Sequence, residues 1–118
     1  MTIGLFAEDL LEVFEHYKRA FNAALIYTDK GSQNELIHLE MDIMGMKMWV
    51  QPTAPGDINK HNNVMMLGLK FVDANSLKQA HEVLKEECIS DGGLDKYPWS
   101  PLQGLITDKF GVRWCIGL

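Results

Sequence analysis

The order of apolar and polar residues in the first half of the chain predicts one helix among four strands. Residues Thr2–Ala7 have the pattern of a short strand, and from Leu10 to Phe21 apolar residues recur at three- and four-residue steps, which is typical of an amphipathic helix. Asp9 is a residue type favoured at a helix N-cap, and Asn22 can end the helix in the left-handed conformation. Three further strands are expected, over Ala24–Tyr27, Glu35–Ile43 and Met46–Gln51.

The second half of the chain repeats this order of elements. A strand is expected over Val64–Val72 and a helix over Asn75–Glu87. They are followed by a loop or weak strand at Ser90–Lys96 and by strands over Leu102–Thr107 and Val112–Leu118.

A short internal match supports a duplication. The segment Gly45–Val50 aligns with Gly111–Ile116 at a spacing of 66 residues, and each segment begins with a turn glycine. The chain is therefore predicted to be an α+β protein, with two βαβββ modules forming a curved mixed sheet with a concave cleft and with helices on the outer face. The modules span about 1–52 and 64–118, and a linker over 53–63 joins them within a single domain covering 1–118.

The composition narrows the function classes. Of the 118 residues, 47% are hydrophobic, which favours a packed fold, and the net charge of −5 argues against nucleic acid or a membrane surface as partner. No apolar run approaches the roughly 18 residues of a transmembrane helix. The first residues lack the basic and apolar regions of a signal peptide, so a cytoplasmic location is expected.

The alternation in the strands separates a packing face from an open face. Leu39 and Met41 lie on the side expected to pack against the helices, whereas His38, Glu40 and Asp42 lie on the other side. The same phase, applied to the other strands, predicts the residues that line a small-molecule cleft. They are His38, Glu40, Lys47, Trp49, Gln51, Met66, Gly68, Arg113 and Cys115.

The row of His38, Glu40 and Asp42 has three interpretations. It can be a solvated polar face, His38 can contact a ligand or form an acid–base pair with Glu40, or the pair can bind a metal with a group from a facing strand. Residues two apart on a strand lie about 6.5–7 Å apart, so the row alone does not converge on one ion. Lys47 and Arg113 either bind an anionic substrate or pair with Glu40 and Asp42.

The last strand pair carries the most specific motif. Residues 108–115, Asp-Lys-Phe-Gly-Val-Arg-Trp-Cys, resemble the Asp-Pro-x-Gly-x-Arg-x-Glu turn of the vicinal oxygen chelate superfamily, which includes glyoxalase, bleomycin-resistance and extradiol-dioxygenase proteins. Trp99 and the segment Tyr17-Lys-Arg-Ala-Phe21 look like the PhnB-like branch, also labelled 3-demethylubiquinone-9 3-methyltransferase-like. No glycine-rich nucleotide-binding loop accompanies that methyltransferase label.

The resemblance implies a metal site whose ligands this sequence lacks. Metal-binding members of the superfamily use His or Glu from the first and last strands of each half. The corresponding positions here are Thr2, Trp49, Met66 or Gly68, and Cys115. None of these is His, Glu or Asp, and one soft thiol does not replace a set of oxygen or imidazole ligands. No metal or other cofactor is therefore expected, and the usual enzymatic chemistry of the superfamily is not expected either.

The resemblance and the open face together favour a protein that binds a small molecule in its cleft without the family metal, similar to the bleomycin-binding members. The alternative is a metal-dependent lyase, isomerase or dioxygenase whose ligands are displaced from the family positions, with His38 and Glu40 as first candidates. A third interpretation is an interaction module whose cleft has closed. Small members of the superfamily usually form dimers, and open half-sheets have exposed edges, so a homodimer is expected.

Overall fold

The strands form two mixed sheets in a computed structural model, which describes residues 1–53 and 65–118. The chain divides into two compact units, and the described residues of each are termed the first unit (1–53) and the second unit (65–118). Each unit contains one helix, so the predicted α+β class with one predicted module per unit is confirmed. The predicted linker over 53–63 lies outside the described residues, apart from Thr53.

The first unit contains a four-stranded sheet and one helix. Its elements are β1 (Thr2–Ala7), α1 (Leu10–Phe21), β2 (Ala24–Lys30), β3 (Leu36–Ile43) and β4 (Met46–Pro52). The strand order is β1-β4-β3-β2, with β1 parallel to β4 and the other pairs antiparallel.

Both predicted caps of α1 are confirmed. The Asp9 carboxylate accepts a hydrogen bond from the Glu12 N–H at 3.1 Å, which satisfies one of the donors left open at the helix start. Asn22 adopts φ 55°, and its N–H donates to the Lys18 carbonyl oxygen at 3.0 Å. The apolar side of the helix is buried, with Tyr17 fully inaccessible to solvent.

The second unit repeats this topology with five strands, because two short strands take the place of β2. Its elements are β5 (Leu67–Lys70), α2 (Ala74–Leu84), β6 (Ser90–Asp91), β7 (Asp95–Tyr97), β8 (Ser100–Thr107) and β9 (Arg113–Gly117). The order is β5-β9-β8-β6, with β5 parallel to β9, and β7 also pairs with β8. The segment predicted as a loop or weak strand therefore contributes two short strands, separated by a connection that contains Gly92 and Gly93.

Some element boundaries differ from the sequence prediction. Helix α2 ends at Leu84 rather than Glu87, because the chain leaves the helix there and Glu87 adopts φ 54° in the left-handed region. Strand β2 continues past Tyr27 to Lys30, because its ladder with β3 extends that far and moves the connecting turn to residues 31–35. The strand predicted over 64–72 begins only at Leu67, and its first position lies outside the described residues.

The two helices are short. Helix α1 has 12 residues and α2 has 11, whereas a helix that crosses a bilayer needs about 20. Neither helix of the described ranges has the length and apolar character required to cross a membrane.

One face of each sheet is packed, as the alternation predicts. The fully buried side chains of the first sheet are Leu39, Met41, Ile43, Met48 and Val50. In the second sheet Ile106, Trp114 and Ile116 are at most 2% exposed. The phase that places Leu39 and Leu69 on the packing face also predicts Ile37 and Met65 there, but both are exposed: Ile37 lies near the start of β3, and Met65 lies before β5 begins.

Candidate functional site

Four of the predicted site residues form a continuous network on the open face of the first unit, the side of its sheet that carries the half-exposed alternate residues. His38 Nε2 lies 2.8 Å from Glu40 Oε2, and Lys47 Nζ lies 2.9 Å from Glu40 Oε1. Gln51 Nε2 lies 3.3 Å from His38 Nδ1. Of the two interpretations of Lys47, pairing with Glu40 is the one observed. The side chains of His38 and Glu40 are 22% and 20% exposed, so the network lies where a solute can reach it.

These contacts indicate which groups of the network donate and which accept. Hydrogen bonds from Lys47 and then from His38 hold the pKa of Glu40 below its ordinary value of 4.5, so the carboxylate is ionised and only accepts. His38 Nε2 must then carry the hydrogen of that bond. The lone pair of the neutral ring is left on Nδ1, to which the Gln51 amide donates. The imidazole ring is thus held in one tautomer.

Aromatic rings flank the network. The ring centroids of Tyr27 and His38 are 6.1 Å apart and those of His38 and Trp49 are 5.9 Å apart, so three rings from β2, β3 and β4 form a row across the sheet. Trp49 also lies close against Gly4 on β1, where an added Cβ would be 3.1 Å from the indole ring. A glycine in a strand permits this close approach because it has no side chain.

The remaining four predicted residues lie in the second unit. Gly68 and Cys115 are cross-strand partners on β5 and β9. Among the residues that the structure describes, a Cβ at Gly68 would meet only the Cys115 backbone oxygen, at 4.0 Å. Arg113 and Cys115 are half-buried, whereas Met66 lies before β5 and is 55% exposed. The structure therefore brings Gly68 and Cys115 together, and Met66 is not part of the strand.

The observed register defines which residues of the first and last strands of each unit face each other. On β1 the residue opposite Trp49 is Gly4, not Thr2. On β5 the residue opposite Cys115 is Gly68. Gly4 with Trp49 and Gly68 with Cys115 are therefore corresponding cross-strand pairs of the two units.

The polar row does not converge on one metal position. Within residues 1–53 and 65–118, no three His, Cys, Asp or Glu side chains are grouped so that they could hold an ion. Both ring nitrogens of His38 are engaged, by Glu40 and Gln51. The Asp42 carboxylate instead accepts from the Gly45 N–H at 2.9 Å, in the turn between β3 and β4. The row thus divides into a hydrogen-bonded pair, His38 with Glu40, and a turn residue, Asp42.

The C-terminal motif stabilises the turn between β8 and β9. Asp108 is fully buried: its Oδ1 accepts from the N–H groups of Phe110 and Val112, both at 3.0 Å, and its Oδ2 accepts from Trp114 Nε1 at 2.9 Å. Gly111 adopts φ 86° and donates its N–H to the Asp108 carbonyl oxygen. The motif that carries the family resemblance therefore anchors the β8–β9 turn to the core.

The sequence pattern does not mark Gly4 or Tyr27 as site residues. A bulge between Leu25 and Tyr27 places Tyr27 opposite Glu40, and such an irregularity breaks the period-two pattern from which faces are predicted. Gly4 has no side chain, so the alternation of apolar and polar residues gives no information about its position. Its alignment with Trp49 could have been found only by pairing β1 with β4 in register.

No protein-family model and no curated protein matches this chain, but solved structures do. A PhnB protein from Bacillus cereus, also labelled a 3-demethylubiquinone-9 3-methyltransferase, is 19% identical with a TM-score of 0.86, over 100% of this chain and 98% of that one. A glyoxylase/bleomycin resistance protein/dioxygenase domain from Frankia sp. EAN1pec is 13% identical with a TM-score of 0.74, over 99% and 94%. The fosfomycin resistance protein FosX from Listeria monocytogenes is 15% identical with a TM-score of 0.72, over 99% and 90%.

These similarities confirm the predicted resemblance at the level of the fold. The chain has the fold of the vicinal oxygen chelate superfamily, and a PhnB-like protein is among its structural neighbours. At 13–19% identity the shared fold does not define a ligand or a reaction.

Proposed function

We propose that this protein binds a planar small organic molecule on the open face of the first unit, with Trp49 as the main contact surface. The observation that carries the proposal is the place of the indole, which lies against Gly4 where the superfamily resemblance would put a metal ligand. An aromatic side chain there offers apolar surface instead of a donor atom for an ion. Offset or edge contacts between rings add to the free energy gained from burying that surface.

The groups beside Trp49 define which ligands suit the face. Glu40 is an ionised acceptor, the Gln51 amide can donate and accept, and Tyr27 supplies a second ring. Small-molecule sites combine apolar walls with a few placed polar groups, and this face has that composition. A neutral or cationic ring system with hydrogen-bond donors is the ligand class we propose, because a net charge of −5 disfavours anions.

A titration with 2-naphthol, a neutral planar molecule with one hydroxyl donor, tests the proposal by calorimetry. Trp49→Ala should raise the dissociation constant at least about tenfold, because it removes the stacking surface. Trp99→Ala is the matched control: Trp99 is 70% exposed and stacks on Tyr97 with ring centroids 5.1 Å apart, in the second unit. An unchanged affinity in Trp49→Ala, or equal losses in both variants, would contradict the proposal.

A metal-dependent lyase, isomerase or dioxygenase is the second candidate. FosX from Listeria monocytogenes has been solved with Mn(II) and 1S,2S-dihydroxypropylphosphonic acid, so this fold can hold a metal in another protein. In this chain an ion at His38 would have to replace a contact to Glu40 or Gln51. Elemental analysis of protein purified without chelators separates the two candidates. A stoichiometric metal that is lost in His38→Ala would favour the metal enzyme.

The expected homodimer and cytoplasmic location stay predictions. Strand β2 is an edge of the first sheet, and its residues Leu25, Ile26 and Tyr27 are about half exposed. An exposed apolar edge strand favours pairing with another chain, which supports a second copy as partner.

A further inference from the structure

We propose that His38 is a general base that removes a proton from a carbon acid bound against Trp49, and that Glu40 is the residue that positions it. The proposal rests on the proposed function, because the substrate must lie on the same open face. It adds a reaction class, a metal-independent proton transfer, to a site described so far only as a binding surface. Both residues lie on β3, away from the first- and last-strand positions that the resemblance associates with metal.

Glu40 prepares the imidazole for this role. Its ionised carboxylate is held by Lys47 at 2.9 Å and accepts from His38 Nε2 at 2.8 Å. That bond leaves the basic lone pair on Nδ1, and it stabilises the imidazolium that forms when Nδ1 takes up a proton. A base oriented by a third group in this way is the usual arrangement for proton transfer in active sites.

The basic nitrogen is also within reach of a ligand. The Gln51 amide nitrogen lies 3.3 Å from His38 Nδ1, which is longer than the 2.7–3.2 Å of a well-formed hydrogen bond, so a ligand can replace it. His38 lies between the rings of Tyr27 and Trp49, and 22% of its side chain is exposed. A planar molecule that rests on Trp49 therefore comes close to Nδ1.

The proposed step conserves atoms and electrons. The C–H bond next to a carbonyl group breaks, and its proton goes to His38 Nδ1. The electron pair of that bond forms a C=C bond, and the π pair of the C=O bond moves onto the oxygen to give an enolate. The Gln51 amide, released from Nδ1, can donate a hydrogen bond to that oxygen. Return of the proton to another carbon of the ligand gives an isomer and regenerates the neutral ring, so the step needs no oxidant, reductant or co-reactant.

The planar carbon acid 5-nitrobenzisoxazole is the probe for this step. A base removes its one acidic C–H proton, the electron pair of that bond completes a nitrile, and the N–O bond breaks to give a coloured phenolate. We expect saturable turnover by the wild-type protein.

Both His38→Ala and His38→Gln should lower kcat at least about tenfold, since positioned general bases contribute about 10²–10⁴-fold. Added imidazole should restore part of the turnover in His38→Ala.

The second unit supplies a matched control for the pair. His81 Nε2 lies 2.9 Å from Asp91 Oδ1, so this pair has the same chemistry and nearly the same spacing as His38 with Glu40. It joins α2 to β6 and is not part of the open face of the first unit. His81→Ala should therefore keep kcat within about twofold of the wild type.

Glu40→Gln tests the positioning role. It should lower kcat more than it changes KM, because in the proton-transfer step Glu40 acts through His38. Turnover in His38→Ala equal to that of the wild type, or equal losses in His38→Ala and His81→Ala, would overturn the catalytic proposal. If Trp49→Ala still raises KM in that case, binding on the open face stands and only the catalytic role fails. Turnover that does not saturate with probe concentration, together with an unchanged KM in Trp49→Ala, would contradict both proposals.

Discussion

The two units share one strand order but carry different chemistry at equivalent positions of their open faces. In each unit a glycine of the first strand lies opposite a residue of the last strand, Gly4 with Trp49 and Gly68 with Cys115. In the first unit an indole covers the glycine, whereas in the second no described side chain lies within 4 Å of a Cβ built on the glycine. The buried faces are alike and the open faces are not, which shows that packing constrains one side of each strand and leaves the other free to change.

The turns before the last strands show the same contrast. Asp42 and Asp108 each begin a turn that contains a glycine with positive φ, at Gly45 and Gly111. The Asp42 carboxylate accepts a backbone hydrogen bond from Gly45 at the surface, whereas the buried Asp108 carboxylate accepts at least three hydrogen bonds, one of them from Trp114. The same pattern, an aspartate three residues before a glycine, is therefore expected to contribute more to stability in the second unit, because only Asp108 is buried.

Asp108→Ala is expected to have the largest effect on stability. It leaves the buried Trp114 N–H without its acceptor and removes two further bonds to an ionisable group, so the free energy of unfolding should fall by about 3 kcal/mol. Asp42→Ala is the matched change in the first unit and should cost about 1 kcal/mol. Urea denaturation measures both values. Equal decreases in the free energy of unfolding of the two variants would contradict the expected difference between the turns.

Gly4→Val tests whether the absence of a side chain at Gly4 is what allows the Trp49 indole to lie against β1. A Cβ there would be 3.1–3.2 Å from three ring carbons of Trp49, so the ring must move outward and the stability should fall by about 1 kcal/mol. In a Trp99→Phe background the fluorescence emission should shift to longer wavelength as Trp49 becomes more exposed. Gly68→Val is the control, since a Cβ at that position has its nearest contact at 4.0 Å. Unchanged emission in Gly4→Val would show that Gly4 does not position Trp49.

Glu40→Gln is expected to have the smallest effect on stability of these changes, and that effect should depend on pH. The pKa of Glu40 is lowered in the folded protein, mainly by its hydrogen bonds with Lys47 and His38. The carboxylate therefore stabilises the fold above its ordinary value of 4.5, and this contribution is lost as the pH falls through the folded-state pKa. The wild type should be more stable than Glu40→Gln at neutral pH, and the difference should shrink in acid. Glu15→Gln, on the exposed side of α1, controls for the loss of one charge.

Local patterns predict most of the elements of this protein. The strand Thr2–Ala7 and both caps of α1 follow from apolar period and residue type, and both are observed as predicted. The period-two pattern also places His38, Glu40, Lys47, Trp49 and Gln51 on one face, because the signal is strong where the opposite side of a strand is buried. The extension of β2 and the bulge at Tyr27 are not predicted, because they depend on pairing with β3.

The sequence by itself determined the two-module α+β fold, its helix caps and its packing faces. Those features depend on residue type and on spacing along one segment of chain. Only the tertiary structure decided that Gly4 is opposite Trp49, that Lys47 bonds to Glu40 while Asp42 serves its turn, and that His38 is held in one tautomer. These depend on the register between strands, which the sequence of each strand alone does not fix.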